Sequence, residues 1–280
     1  MEGGVSVRAN RANRSSPLEV AVAARDAGTL RMVEQAVRHR HVLLAYQPAV
    51  HAPLPDRVAF WEALIRVLDE TGRIIPAREF IHQVEETETG RILDCLALEK
   101  GLRTLSRVPD LRLSINMSAR SIGYRRWMRI LDRVLRSDAT VGERLILEIS
   151  EASVARIPEL AGSFIADLRQ RGISFALDDF GAGDSAFRHF RELQFDILKI
   201  DGSYTQEISG NADNQVLTRG IVALARELDL LTVAGRVETA ADAADLSRLG
   251  VDCLQGYVFG APTTNPPWSG ATRWLDRSAG

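Results

Sequence analysis

Cysteine is almost missing from this chain: its 280 residues hold two, Cys95 and Cys253. They lie far apart with no Cys-x-x-Cys spacing, so neither a disulfide framework nor a zinc site is indicated, and a reducing, cytoplasmic compartment fits. Long hydrophobic runs are missing too; none approaches the roughly 18 residues that a membrane span needs. An excess of either charge is absent, because 35 basic and 37 acidic residues leave a net charge of −2. Bulk charge therefore implies neither nucleic acid nor a membrane surface as a partner. The five histidines are scattered, and no His-Glu-x-x-His occurs. A dinucleotide-binding Gly-x-Gly-x-x-Gly turn is not found after the first strands, and Gly181-Ala182-Gly183 lacks the third glycine. The N-terminus has Arg8, Arg11 and Arg14 but no apolar core like a signal peptide's. Residues 1–18 are expected to form a disordered tail and 263–280 a C-terminal tail, with Trp268 and Trp274 available to dock.

Between the tails, a composition of 45% hydrophobic and 26% charged residues is that of an ordinary globular domain. A helix is expected at 26–40, capped by Asp26, with Leu30, Val33, Ala36 and Val37 on one face. Strands follow at 42–50 and 59–66, then helical stretches at 76–86 and 89–105. From there strands at 111–116, 145–148, 174–178, 195–199 and 231–234 are each followed by a helix, near 118–136, 157–171, 185–193, 213–228 and 240–249. Leu217, Ile221, Leu224 and Leu228 mark the 3.6-residue period of the 213–228 helix. A last strand is read at 253–258. Eight strands, most alternating with helices and several apolar throughout, point to a (β/α)8 barrel over residues 19–262. An open doubly wound sheet is the alternative.

The stretch Ser174 to Gly181 runs as an apolar strand into Asp178-Asp179 and a glycine turn. Adjacent carboxylates repel, and at the end of a buried strand they call for a cation or strong donors between them. Taken alone, the pair is as well explained by a surface turn. Other strands end alike, however, and Glu62, Asn116, Glu148, Asp178 with Asp179, Lys199 and Gln255 stand at or near strand ends. In a barrel these ends converge on one mouth. Glu, Asp and Asn offer hard oxygen ligands suited to Mg2+ or Mn2+, and two such ions can activate water against a phosphodiester. The residues alone thus suggest a metal-dependent enzyme acting on a phosphorylated substrate.

The order and spacing of these motifs resemble the EAL domain, a bacterial phosphodiesterase of cyclic di-GMP, from about Val42 to Pro262. The motifs are Tyr46-Gln47-Pro48, Glu62-Ala63-Leu64-Ile65-Arg66, Asn116-Met117-Ser118, Leu147-Glu148-Ile149-Ser150-Glu151 and Asp178-Asp179-Phe180-Gly181. They continue with Leu198-Lys199-Ile200-Asp201, Val237-Glu238-Thr239 and Gln255-Gly256-Tyr257. The resemblance implies a TIM-type (β/α)8 barrel whose first strand runs antiparallel. It implies that Glu62, Asn116, Glu148 and Asp178 hold one metal, with Asp178 and Asp179 reaching a second. By the same resemblance Lys199, Glu151 and Asp179 belong to the catalytic set, Lys199 positioning water and Glu151 bracing the loop after the 174–178 strand. Gln47, Leu64, Arg66, Asp201 and Gln255 would contact the dinucleotide, and a homodimer or a protein partner is implied as well.

The chain departs from the family pattern at one place above all. Where the family has Ala-Glu-Gly-Val-Glu, this chain has Ala234-Gly235-Arg236-Val237-Glu238. The first Glu, expected near the second metal and as general base, is Gly235. Glu238, three residues along an extended segment, is expected to point elsewhere. In the next motif Ala182 and Asp184 replace a hydroxyl and an aromatic residue, and a usual His-Pro pair gives way to Leu68–Thr71. These changes lead to a divergent barrel that binds cyclic di-GMP or a partner with weak or no hydrolysis. The alternatives are an active metal-dependent phosphodiesterase yielding the linear dinucleotide, with Asp184 as replacement base, or a different metal-dependent barrel enzyme.

Overall fold

Apolar runs bounded by turns form nine strands among the residues described by the computed structural model, 16–183 and 193–269. They are β1 (Val42–His51), β2 (Leu54–Leu68), β3 (Ile74–Pro76), β4 (Leu113–Asn116), β5 (Leu145–Ser150), β6 (Ser174–Phe180), β7 (Ile197–Ile200), β8 (Leu231–Ala234) and β9 (Cys253–Gln255). β2, β4, β5, β6, β7, β8 and β9 pair in that order, all parallel. β1 runs antiparallel to both β2 and β9 and closes the ring. The fold is thus an eight-stranded (β/α)8 barrel with an antiparallel first strand; β3 hangs outside the closure on β2.

Antiparallel closure follows from the connection. His51–Leu54 form a tight hairpin, so β2 must return alongside β1, whereas the later strands are separated by helices that carry the chain back. The hairpin also extends β2 beyond the expected 59–66. Leu54 and Val58 pair with β1 although both are exposed and lie before the expected strand, with Pro55, Asp56 and Arg57 in the register irregularity between them.

Local differences from the expected elements each have a cause. The first helix spans Pro17–Arg38, so it begins inside the segment expected as a tail. Asp26 lies within it and accepts a bond from Gln83 Nε2 at 3.0 Å instead of capping. The stretch read as helical at 76–86 breaks into a 3-10 turn, Ala77–Glu79, and one helical turn, Ile81–Val84. In the helix Ala212–Glu227 the buried positions are Thr218, Ile221, Val222 and Ala225, so Leu217 and Leu228 face outward. The helix expected at 185–193 lies almost wholly outside the described residues, as does Trp274. Thr263 pairs with Tyr46, and Trp268 packs edge-on against Tyr46 and Trp61, ring centroids 5.2 and 5.0 Å away. No helix among the described residues is long and apolar enough to cross a membrane.

Two apolar layers position the mouth. The larger lies between strands and helices and includes Leu98, Leu113, Trp127, Leu147, Phe175 and Leu198. The other fills the barrel: Ala49, Phe60, Ile146, Ala176, Ile197, Val233 and Cys253, one from each of seven strands. Ser114 of β4, fully buried, stands at the corresponding place in the eighth.

β9 stops at Gln255 rather than running to 258 because Gly256 lies directly against the Val237 backbone, and a Cβ there would overlap the Val237 carbonyl. Gly256→Ala is therefore expected to destabilise the fold by about 3 kcal/mol, the upper end of overpacking costs. A stability loss below about 1 kcal/mol, from urea denaturation, would disprove the tight packing.

Candidate active site

Side chains on a strand alternate, so the residue two beyond each interior-layer position points into the barrel one step higher. Phe60 leads to Glu62, Ser114 to Asn116, Ile146 to Glu148, Ala176 to Asp178, Ile197 to Lys199, Val233 to Gly235 and Cys253 to Gln255. On β1, which runs the other way, the same step is counted backward from Ala49 to Gln47. Register agrees: Gln47 pairs with Glu62, Asn116 with Glu148 and Ala49 with Gln255. The barrel end is thus a ring of eight positions, seven with polar side chains and one glycine.

Lys199 is the hub. Its ammonium lies 2.6 Å from Glu148 Oε2, 3.2 Å from Glu62 Oε2 and 3.3 Å from Asp178 Oδ1. Glu62 also accepts from Asn116 Nδ2 and Gln255 Nε2, both at 2.8 Å. Glu62, Glu148, Lys199 and Gln255 are all buried. Burial would raise the Glu62 carboxyl, but the Lys199 charge and three side-chain hydrogen bonds together hold it below the usual range. Glu148 goes the other way: burial, then the negative charge of Glu62, pushes it up to about 8. Burial disfavours the Lys199 charge, yet the three surrounding carboxylates hold its pKa well above normal.

Asp179 follows Asp178 in the left-handed region, φ 54°, which Asp tolerates better than most residues. Burial, then its neighbour's charge, lifts its carboxyl to about 6. Beyond β5, Glu151 accepts the Gly181 N–H at 3.0 Å, and Tyr204 donates to the Gly181 carbonyl at 3.0 Å. The start of the loop after β6 is thereby held from two sides.

A cavity of about 1070 Å³ opens over the ring. Gln47, Glu62, Leu64, Arg66, Asn116, Glu151, Asp178, Asp179, Lys199 and Gln255 all line it. Glu148 lies beneath, bonded to Lys199. Asp201 stands apart: its carboxylate caps the short helix Gly202–Thr205 by accepting from Ser203 N at 2.9 Å and Ser203 Oγ at 2.5 Å.

The family model for the EAL domain matches residues 30–262. The chain belongs to the EAL domain family. It is 30% identical over 235 residues to the bifunctional diguanylate cyclase/cyclic di-GMP phosphodiesterase MucR of Pseudomonas aeruginosa, covering 82% of this chain and 34% of MucR. It is 28% identical over 234 residues to the cyclic di-GMP phosphodiesterase PdeB of Shewanella oneidensis, covering 82% of this chain and 27% of PdeB. The chain thus spans about a third of these curated relatives. Among solved structures, a cyclic di-GMP complex of the P. aeruginosa MucR phosphodiesterase superposes with a TM-score of 0.76 at 28% identity, over 84% of this chain and 97% of that one. The FimX EAL domain of P. aeruginosa shares the fold with a TM-score of 0.77 at 24% identity, over 84% and 96%.

Within this EAL barrel, nothing lies within 4 Å of the place a Gly235 Cβ would take. The gap in the ring is open space, and no described neighbour has moved in to fill it. Arg236 sits at φ 56° and its side chain lies over Gly202. A non-glycine residue there carries a conformational cost of about 1–2 kcal/mol. The same left-handed residue breaks the extended run assumed for 235–238. Glu238 therefore lines the cavity instead of pointing elsewhere, a correction to the sequence reading. Arg78, His82 and Arg156 also line the cavity and were missed, because they come from loops and short helices with no strand-end pattern.

The donor chemistry suits a divalent ion. Among the described residues no three acidic, His or Cys side chains form a ready cage, because the carboxylates are drawn onto Lys199 instead. Three carboxyl groups crowd one ammonium, more acid than a single cation balances, and Glu148 Oε1 is buried without a hydrogen-bond partner. Hard oxygens with uncompensated charge are what Mg2+ and Mn2+ seek.

Lys199→Met leaves those carboxylates with no cation. Without added metal it is expected to lower stability by 3–5 kcal/mol, roughly the cost of breaking a buried ion pair, as read from chemical denaturation. A loss below about 1 kcal/mol would mean that water screens the cluster.

Proposed function

We propose that this barrel binds cyclic di-GMP at its mouth and hydrolyses it weakly or not at all. The observation that carries the reading is Gly235, the one ring position with no side chain, beside seven that keep theirs. The ligand is suggested by PdeB, a cyclic di-GMP phosphodiesterase, and by the MucR complex with cyclic di-GMP. A cytoplasmic setting and assembly as a homodimer or with a protein partner belong to the same reading.

In this reading Arg66 donates to a phosphate or base, Leu64 packs against the dinucleotide, and Gln47, Gln255 and Asp201 complete the polar contacts. Asp201 reaches the ligand only by giving up its cap on Ser203. Glu62, Asn116, Glu148 and Asp178 would hold Mg2+ or Mn2+, with Asp179 reaching a second ion. Such an ion, when bound, supplies Lewis-acid stabilisation of charge at the phosphorus and acidifies water. Lys199 then orients the carboxylates and water around it, and Glu151 keeps the Gly181 turn in place. What the ring lacks is a carboxylate at 235 to take the proton of the attacking water. Loss of a general base costs on the order of 10²–10⁴ in rate.

A second reading, an active phosphodiesterase, is favoured by Glu238, which brings a carboxylate to the cavity from three positions beyond Gly235. A chromatographic assay with Mn2+ separates the two. Gly235→Glu has room for its Cβ and is expected to raise formation of the linear dinucleotide at least 100-fold, the lower end of that range. Fast hydrolysis by the wild type, abolished in Glu238→Gln, would establish the second reading instead. If neither protein binds cyclic di-GMP, both fail.

Ion binding should itself depend on pH. A Glu148 carboxyl at about 8 is protonated at neutral pH in the ion-free protein, and an incoming cation must displace that proton. Mn2+ affinity is expected to rise about 50-fold between pH 6 and pH 8 and to level off only above about pH 9, as followed by titration calorimetry. A flat profile would show that Glu148 is already ionised.

A further inference from the structure

The helix Arg125–Ser137 carries five arginines, Arg125, Arg126, Arg129, Arg133 and Arg136, and every one is exposed. At 3.6 residues per turn they fall within an arc of about 100°, so they form one stripe along the helix. The opposite face is anchored: Trp127 and Leu131 are buried, and Trp127 packs on Phe164 with ring centroids 5.8 Å apart. The helix has one acidic residue, Asp132, whose carboxylate is taken by Arg171 Nη2 at 2.7 Å. Nearby, Arg144 pairs with Asp138 and Arg169 with Asp196. None of the five stripe arginines forms an ion pair among the described residues; the one side-chain bond the stripe makes is from Arg129 Nε to the Arg125 carbonyl, 3.3 Å.

Five like charges on adjacent turns repel one another, and on a bare helix they cost stability. A partner of opposite sign removes that cost. We propose that this stripe is a docking surface for a short acidic protein segment, one with carboxylates repeating about once per helical turn. Arg125 to Arg136 span about 16 Å at roughly 1.5 Å per residue, and a segment of that length is covered completely. A longer polyanion such as a nucleic-acid duplex would run past the stripe onto a molecule whose overall balance is −2. Single-stranded nucleic acid would call for stacking platforms, and the helix's one aromatic residue, Trp127, is buried. A membrane surface would be better held with exposed apolar anchors beside the charges; the other large apolar residues here, Met128, Ile130, Val134 and Leu135, are half-buried against the core. The surface is separate from the cavity and does not depend on the reading of the barrel mouth.

The test uses the full chain and a fluorescein-labelled glutamate-rich peptide of about twelve residues, followed by anisotropy. Binding is expected at about 50 mM salt and to weaken at least tenfold by about 200 mM, because exposed pairs are screened. Arg129→Ser/Arg133→Ser should weaken it at least tenfold with an unchanged melting temperature. The charge-matched control Arg57→Ser/Arg219→Ser, exposed positions elsewhere, should leave it intact. The proposal is overturned if the peptide does not bind, if both double variants weaken it equally, or if phosphatidylserine vesicles or a short RNA duplex displace it at lower concentration.

Discussion

A single buried ammonium, Lys199, touches Glu62, Glu148 and Asp178 from three different strands. Each of these charges would be costly alone in the barrel. The ammonium makes their convergence tolerable but does not neutralise it, since three carboxyl groups are more acid than one cation balances. The strain falls on Glu148, whose carboxyl burial and the neighbouring negative charge of Glu62 push up to about 8. A divalent cation would relieve it, so the same electrostatic deficit ties stability, pH and ion binding together.

The deficit arises from barrel geometry. Eight strands closed in register stack their inward side chains in layers, and the layer below the mouth is apolar except for Ser114. It supports the polar ring sterically and keeps water from beneath it, which strengthens every interaction within the ring. Against that regular background Gly235 is a missing tooth. Arg236 beside it accepts a left-handed backbone that suits glycine, and the turn it makes brings Glu238 to the cavity.

Electrostatics is arranged differently on the outside. Most buried or half-buried arginines find carboxylates, as Arg144, Arg169 and Arg171 do. The stripe on Arg125–Ser137 does not, and the near-neutral total of the chain conceals it. Whole-chain charge averages over faces, whereas recognition acts over about a Debye length, roughly 8–10 Å at moderate salt.

The sequence by itself determined the barrel, the strands that build it and the family. Apolar runs separated by amphipathic helices can be covered on both faces in few ways, and motifs such as Glu62-Ala63-Leu64 or Asp178-Asp179-Phe180-Gly181 sit where strands end. It also made Gly235 visible, because a missing side chain is a fact of composition. Only the tertiary structure decided which side chains meet. That Asn116 and Gln255 both hold Glu62, or that Glu148 shares Lys199 with Asp178, depends on strand pairings across as many as 193 residues, which no local pattern encodes. Asp201 carries a second task that its motif does not reveal, capping the helix after β7 through Ser203, and Glu238 was read as turned away until a positive φ at Arg236 redirected the chain. That turned on backbone conformation at a single residue, which long-range packing selects and residue identity alone leaves open.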